Sequence, residues 1–292
     1  MQQPQTLRWA WILPLTAVMI WSLNIVVTRY ATAVIEPMSM SFYRWFVAWC
    51  MLTPWLLPRV WQQRAQIRPY FARLAALSAF GMLLYQGLAY SAAHYTTATH
   101  MGIINAFIPI FTVFVSWWIL ADRPHIFALF GSGLSFLGLI FVIAQGDLGQ
   151  ILAVGQHWGD ALMLLAVFCY AFYGVFLKKW QLPLPMMWML YLQICFAVLY
   201  HLPLIAITGL DALDSDNLSS VLYAAIFPSL LAPLLWMLAI QNLGPNRTSI
   251  FMNLMPIFTA VIAFFWLHEQ WSIYHSIGGI VILIGILLAQ RK

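Results

Sequence analysis

The sequence predicts an all-α polytopic membrane protein: ten transmembrane helices arranged as two inverted five-helix repeats. Three observations carry that prediction. Of the 292 residues, 63% are hydrophobic and only 7% charged, whereas a soluble domain carries roughly a quarter charged residues, so this chain has too little polar surface to wet itself. Its apolar stretches run for about 20 residues, the length at which a helix crosses a hydrocarbon core of roughly 30 Å. Finally, NAFIPIFTVFVSWWILADR, Asn105 to Arg123, returns as NLMPIFTAVIAFFWLHEQ, Asn253 to Gln270.

The predicted helices follow in order. The first, 9–30, opens after Arg8. The small residues Ala31, Thr32 and Ala33 resemble a signal-peptide cleavage site, but about 22 apolar positions exceed a signal core, and Arg29 lies just before the site. It is retained as a span. A loop holding Glu36 leads to the second helix, 38–57, and a basic segment with Arg59, Arg64 and Arg68 leads to the third, 70–91. The fourth, 96–120, contains Pro109 and ends before Arg123; the fifth covers 125–144. Beyond Asp147, the sixth spans 158–177 and stops at Lys178 and Lys179. The seventh, 185–208, and eighth, 217–240, flank a loop with Asp211, Asp214 and Asp216. The ninth, 247–268, contains Pro256, and the tenth, 271–289, precedes Arg291 and Lys292.

With the N-terminus inside, eleven Lys and Arg fall on the cytoplasmic side: Arg8, Arg59, Arg64, Arg68, Arg73, Arg123, Lys178, Lys179, Arg247, Arg291 and Lys292. The other side receives Arg29. That bias sets the orientation and places both termini in the cytoplasm. The formal net charge of +5 therefore reads as a topology signal rather than a nucleic-acid patch. Cys50, Cys169 and Cys195 lie within apolar runs without paired spacing and read as packing residues.

The repeat keeps register. Pro109 matches Pro256, Phe111 matches Phe258, Thr112 matches Thr259, Asp122 matches Glu269, Gly131 matches Gly278 and Gly138 matches Gly285, each at an offset of 147. In the leading helices Trp21 faces Tyr170 and Arg29 faces Lys178 at 149. Two units follow, 1–146 and 147–292. Five spans per unit make the second enter the membrane from the opposite side, the arrangement on which alternating access is commonly built.

Trp21 to Asn24 (WSLN), Phe42 to Trp45 (FYRW), the duplicated P-I-F-T and the acidic residue after each copy resemble the EamA-type members of the drug/metabolite transporter superfamily. The resemblance covers nearly the whole chain. It implies an inner-membrane exporter of amino acids, their derivatives or other metabolites, working by alternating access around a midplane cavity; efflux of toxic compounds is the alternative it leaves open.

Several residues stand out as candidates. Pro109 and Pro256 should bend their helices and serve as hinges, with Asn105 and Asn253 one turn away, either repairing freed backbone groups or facing substrate. Arg44, inside a span, costs at least ~2.5 kcal/mol unless it finds a partner or water. It either pairs with a substrate anion or snorkels towards Glu36. The spans lack a central carboxylate, which favours neutral, zwitterionic or anionic substrates. Trp21, Asn24, Tyr43, Tyr85, Gln86, Tyr90, Tyr173 and Trp236 combine aromatic and polar character and are candidates for the cavity wall.

His94 and His100 titrate near neutral pH and are candidates for proton coupling. Their spacing supports no metal site, and no cofactor is expected. Nor does any nucleophile and base set suggest an enzyme. A channel would need a continuous pore, which proline-bent alternating helices disfavour. Gly131 and Gly138, with Gly278 and Gly285, line one face of the last helix in each unit; close packing there joins helices within the bundle or across a homodimer. The expected partners are a small-molecule substrate and the lipid bilayer, with the chain itself a monomer.

Overall fold

A computed structural model describes residues 9–31, 35–93, 95, 104–105, 107–121, 124–144, 158–267 and 273–289. Every regular element among them is helical. In the first half these are α1 (Ile12–Ala31), α2 (Pro37–Gln62), α3 (Arg64–Ile67), a 3₁₀ turn (Arg68–Tyr70), α4 (Phe71–Ser78), a π segment (Ala79–Leu84), α5 (Tyr85–Ala93), α6 (Ile108–Leu120) and α7 (Ile126–Ile143). The second half holds α8 (Trp158–Trp180), α9 (Met186–Thr208), α10 (Ser215–Ile226), a second π segment (Phe227–Leu231), α11 (Ala232–Leu243), α12 (Pro245–Ser249), a 3₁₀ segment (Ile250–Leu254), α13 (Met255–Leu267) and α14 (Ile273–Ala289).

Four continuous helical stretches among the described residues have the length and apolarity to cross a membrane: Arg64–Ala89, Trp158–Trp180, Met186–Thr208 and Ser215–Leu243. The shorter apolar helices Ile12–Asn24, Ile108–Leu120, Ile126–Phe141 and Ser276–Ala289 accompany them. The ends have local causes. Pro37 sits in the first turn of α2, where its missing N–H deprives no carbonyl. α2 continues to Gln62, beyond the expected residue 57, passing through Pro54 and Pro58.

α10 begins at Ser215 rather than at 217. Asp214 accepts from the backbone N–H of Asp216 and Asn217, while the Asn217 side chain accepts from the Asp214 N–H, a reciprocal cap that the sequence reading overlooked. α9 ends at Gly209, whose φ of +85° suits a residue without Cβ. The loop that follows is stitched to the start of α2: Asp211 N–H donates to Ser39 Oγ at 3.0 Å, and Tyr43 Oη donates to the Asp211 carbonyl at 2.6 Å.

The packing repeats itself. α1 lies against α11 and α13, and α8 lies against α5 and α6. α2 packs on α9 and α10, while α9 packs on α2 and α4. The irregular segments repeat too, with a π segment in the third helical stretch of each half. α7 and α14 form the most extensive pair. Their glycines explain how: a Cβ on Gly131 would run into the backbone of Gly285 and Ala289, and one on Gly285 into the backbone of Gly131 and Ser135. One on Gly138 would stand 2.9 Å from the Gly278 carbonyl oxygen. These glycines therefore meet one another within the chain.

Backbone cannot step aside as a side-chain tip can. Gly285→Leu should cost at least about 1–3 kcal/mol by overpacking, read as a lower melting temperature in detergent, whereas Gly133→Ala, with nothing within 4 Å of the new Cβ, should melt like the parent.

Candidate functional site

The site begins with two prolines five residues apart, Pro228 and Pro233. Pro228 has no N–H, so the Ala224 carbonyl loses its helical donor; Ser229 Oγ donates to it instead at 2.7 Å. The helix then widens. Ala232 N–H reaches back five residues to Phe227 O, the π register. The next donor in that register belongs to residue 233, a proline with none.

The Pro228 carbonyl is left to side chains, and two take it. The Trp21 indole Nε1 donates at 3.1 Å and Arg44 Nη2 at 3.3 Å. Arg44 Nε also donates to Ser229 Oγ at 2.7 Å, and the guanidinium carbon lies 5.0 Å from the Trp45 ring centre. Arg44 is 7% exposed and lines a cavity rather than reaching outward. Its charge is held by a serine hydroxyl, a backbone carbonyl and an aromatic face, which is how a cation becomes tolerable at this depth.

The cavity measures about 320 Å³ and draws its walls from both halves of the chain. It brings together eight residues expected from the sequence: Trp21, Asn24, Arg44, Tyr85, Gln86, Asn105, Tyr173 and Trp236. On one side the Trp21 and Trp236 rings lie 5.3 Å apart. On another, Tyr170 stands 4.8 Å from Tyr85 and 5.7 Å from Tyr173. Polar atoms punctuate these rings: Tyr85 Oη donates to Asn105 Oδ1 at 3.2 Å, and Trp45 Nε1 donates to Gln86 Oε1 at 3.2 Å. Gly81 makes room for the Tyr173 ring, since a Cβ there would lie 2.7 Å from Cδ2. Among the described residues lining the cavity, Arg44 is the single formal charge.

Other expected residues fall elsewhere. Tyr43 is turned to the Asp211 loop and is not part of the lining. Asn253 is fully buried behind the wall, its Nδ2 donating to Ser135 Oγ at 2.9 Å and tying the 3₁₀ segment to α7. Pro109 is buried as the second residue of α6, a position where its missing N–H costs no bond within that helix; Pro256 occupies the second position of α13. The side chains of Tyr90 and Pro256 lie outside the described ones, as do residues His94, His100, Asp122 and Glu269.

The sequence reading missed Trp45, Met163, Tyr170, Met252 and Met255 as lining residues. Tyr170 had a signal, being the repeat counterpart of Trp21, and Trp45 adjoins Arg44. The methionines had none, because a thioether in an apolar run looks the same facing lipid or cavity.

Helices widened by π segments beside a polar and aromatic cavity that both halves wall accord with a membrane transporter. The chain belongs to the EamA-like transporter family, whose model matches residues 8–144 and 157–290. It is 26% identical over 281 residues to an uncharacterized transporter of Archaeoglobus fulgidus, covering 94% of each chain. It is 23% identical over 268 residues to the uncharacterized transporter YyaM of Bacillus subtilis, covering 90% of this chain and 87% of that one. A crystal structure matches with a TM-score of 0.77 at 16% identity over 96% of each chain, a likeness of fold alone.

Ser229 serves two partners at once. Ser229→Ala should therefore destabilise the protein by about 1–3 kcal/mol, the usual cost of stranding buried polar groups; chemical denaturation in detergent reads it. A loss below about 0.5 kcal/mol would show that Ala224 and Arg44 find other partners.

Proposed function

We propose that the protein is a secondary transporter of the cell inner membrane that exports small metabolites, amino acids or related compounds with aromatic members among them. In this reading ten spans form two inverted units, 1–146 and 147–292, with both termini cytoplasmic. The units rock to open the central cavity alternately to either side. The observation that carries it is the cavity itself: aromatic walls, neutral hydrogen-bonding groups and one inward cation, Arg44.

Each part matches a part of such a substrate. A guanidinium recognises a carboxylate, the tryptophan and tyrosine rings accept an apolar or aromatic body, and the amides of Asn24, Gln86 and Asn105 suit its remaining polar groups. A volume of about 320 Å³ lies at the small end of ligand pockets and fits a single metabolite. The repeated pairings of α1 with α11 and α13, and of α8 with α5 and α6, support the two-unit reading. So do the two π segments.

Counterflow into proteoliposomes tests this, using labelled phenylalanine, tryptophan and benzoate beside the lipophilic cation tetraphenylphosphonium. Saturable counterflow is expected for at least one carboxylate. Arg44→Ala should weaken it about tenfold or more, the equivalent of a lost charge-assisted hydrogen bond, while Tyr43→Phe should leave substrate preference unchanged. Counterflow of the cation alone would overturn the carboxylate assignment, and channel-sized currents would overturn the carrier.

A further inference from the structure

A buried histidine stands one serine away from the cavity wall. His201, in α9, is 2% exposed. Its Nδ1 lies 2.7 Å from the Ala197 carbonyl oxygen, and its Nε2 lies 3.0 Å from Ser41 Oγ in α2. Ser41 Oγ in turn lies 3.2 Å from Gln86 Oε1 in α5, and that same oxygen takes the Trp45 indole N–H at 3.2 Å. Gln86 and Trp45 line the cavity.

The hydrogens in this chain can be counted. A carbonyl only accepts, so Nδ1 carries a hydrogen and donates it to Ala197 O. An indole N–H only donates, so the Gln86 atom facing it is oxygen, which also settles the orientation of the amide. Ser41 then has one hydrogen and two acceptors competing for it: Gln86 Oε1 and, in a neutral imidazole, Nε2. One contact lacks a hydrogen. Adding a proton at Nε2 completes the set, because Nε2–H donates to Ser41 Oγ and the Ser41 hydroxyl donates to Gln86 Oε1.

We propose that His201 is a proton-binding site of the transport cycle, and that Ser41 relays its protonation state to Gln86 in the cavity wall. One proton enters at Nε2 and none leaves. The Ser41 hydroxyl rotates from His201 to Gln86, so a proton bound behind the wall changes the hydrogen bonding available to a solute in front of it. The inference rests on the carrier reading above for its purpose, but the switch itself is observable without transport.

The charges around His201 give the coupling a direction. α2, α4 and the first π segment pack on α9. From α2 comes Arg44, three residues beyond Ser41, with Tyr43 beside it in sequence. α4 adds Arg73 near its start, residues 74–93 and 217–243 add only the tyrosines Tyr85, Tyr90 and Tyr223, α9 itself carries Tyr191, Cys195 and Tyr200, and the carboxylates of Glu36 and Asp211 stand at the end of α2 beside Ser39. A second positive charge near Arg44 is disfavoured until an anion reaches Arg44, so a carboxylate solute and the proton assist each other's binding, and the assistance is reciprocal.

Nitrogen NMR of the purified full chain in nanodiscs tests the relay, following the His201 imidazole and the Trp45 indole resonance, each identified by its absence from His201→Gln or Trp45→Phe. The His201 ring should change protonation on lowering pH, with the Trp45 signal moving at the same midpoint. In Ser41→Ala the ring should still titrate while the Trp45 signal stays flat, and in His201→Gln the Trp45 signal should be flat throughout. A ring that never changes protonation overturns the proton site, and a Trp45 shift unchanged in Ser41→Ala overturns the relay. Counterflow that persists in His201→Gln but loses its pH dependence identifies the transport link. A counterflow profile equally pH-dependent in His201→Gln removes that link while leaving the carrier standing.

Discussion

The site depends on one backbone carbonyl that cannot be satisfied by its own helix. Pro228 O has no donor at residue 233, because that residue is proline, and the Ala232 N–H is already committed to Phe227. A buried carbonyl left alone costs free energy comparable to a lost hydrogen bond. Trp21 from α1 and Arg44 from α2 meet that need, so a local defect in one half recruits two side chains of the other. The same contacts hold a cation at the cavity, where Ser229 and the Trp45 face share its stabilisation. The placing of Arg44 and Trp21 in the site is thus tied to one missing N–H.

The two halves share their irregularities as well as their helices. Each carries a π segment in its third helical stretch, and each places a proline second in the helix that follows its short 3₁₀ or turn segment. Residues at these shared positions nevertheless differ. Gly81 in the first half admits the Tyr173 ring, whereas its counterpart at an offset of 147 is Pro228, which exposes a carbonyl. Shared irregularities therefore carry different chemistry around the cavity: tyrosines gather near Gly81, and the cation and paired tryptophans near Pro228. A solute with unlike ends meets unlike walls.

Much of this was legible in the sequence, and the remainder was hidden for identifiable reasons. Apolar length and the echo of Pro109 by Pro256 exposed an all-helical membrane protein, and polar residues among aromatics led to eight members of the cavity wall. Tyr43 shares its surroundings in sequence with Arg44 yet points to the Asp211 loop, because neighbours on a helix face about 100° apart. Asn253 looked like a cavity residue but answers Ser135 instead, a partner 118 positions away that no local pattern indicates. His201 drew no notice, since its partner Ser41 and the Gln86 that Ser41 meets lie on two other helices. Pro228 and Pro233 were visible as letters, but their meaning came only with the register of the Ala232 hydrogen bond.

The close seam between α7 and α14 bears on how such a molecule could move. With carbonyls and amides of the two helices standing where methyl groups would otherwise be, neither can slide along the other without driving a serine or alanine side chain into a peptide plane. The pair behaves as a locked strut joining the ends of both halves. Whatever rearrangement the bundle undergoes, these two helices have to travel together.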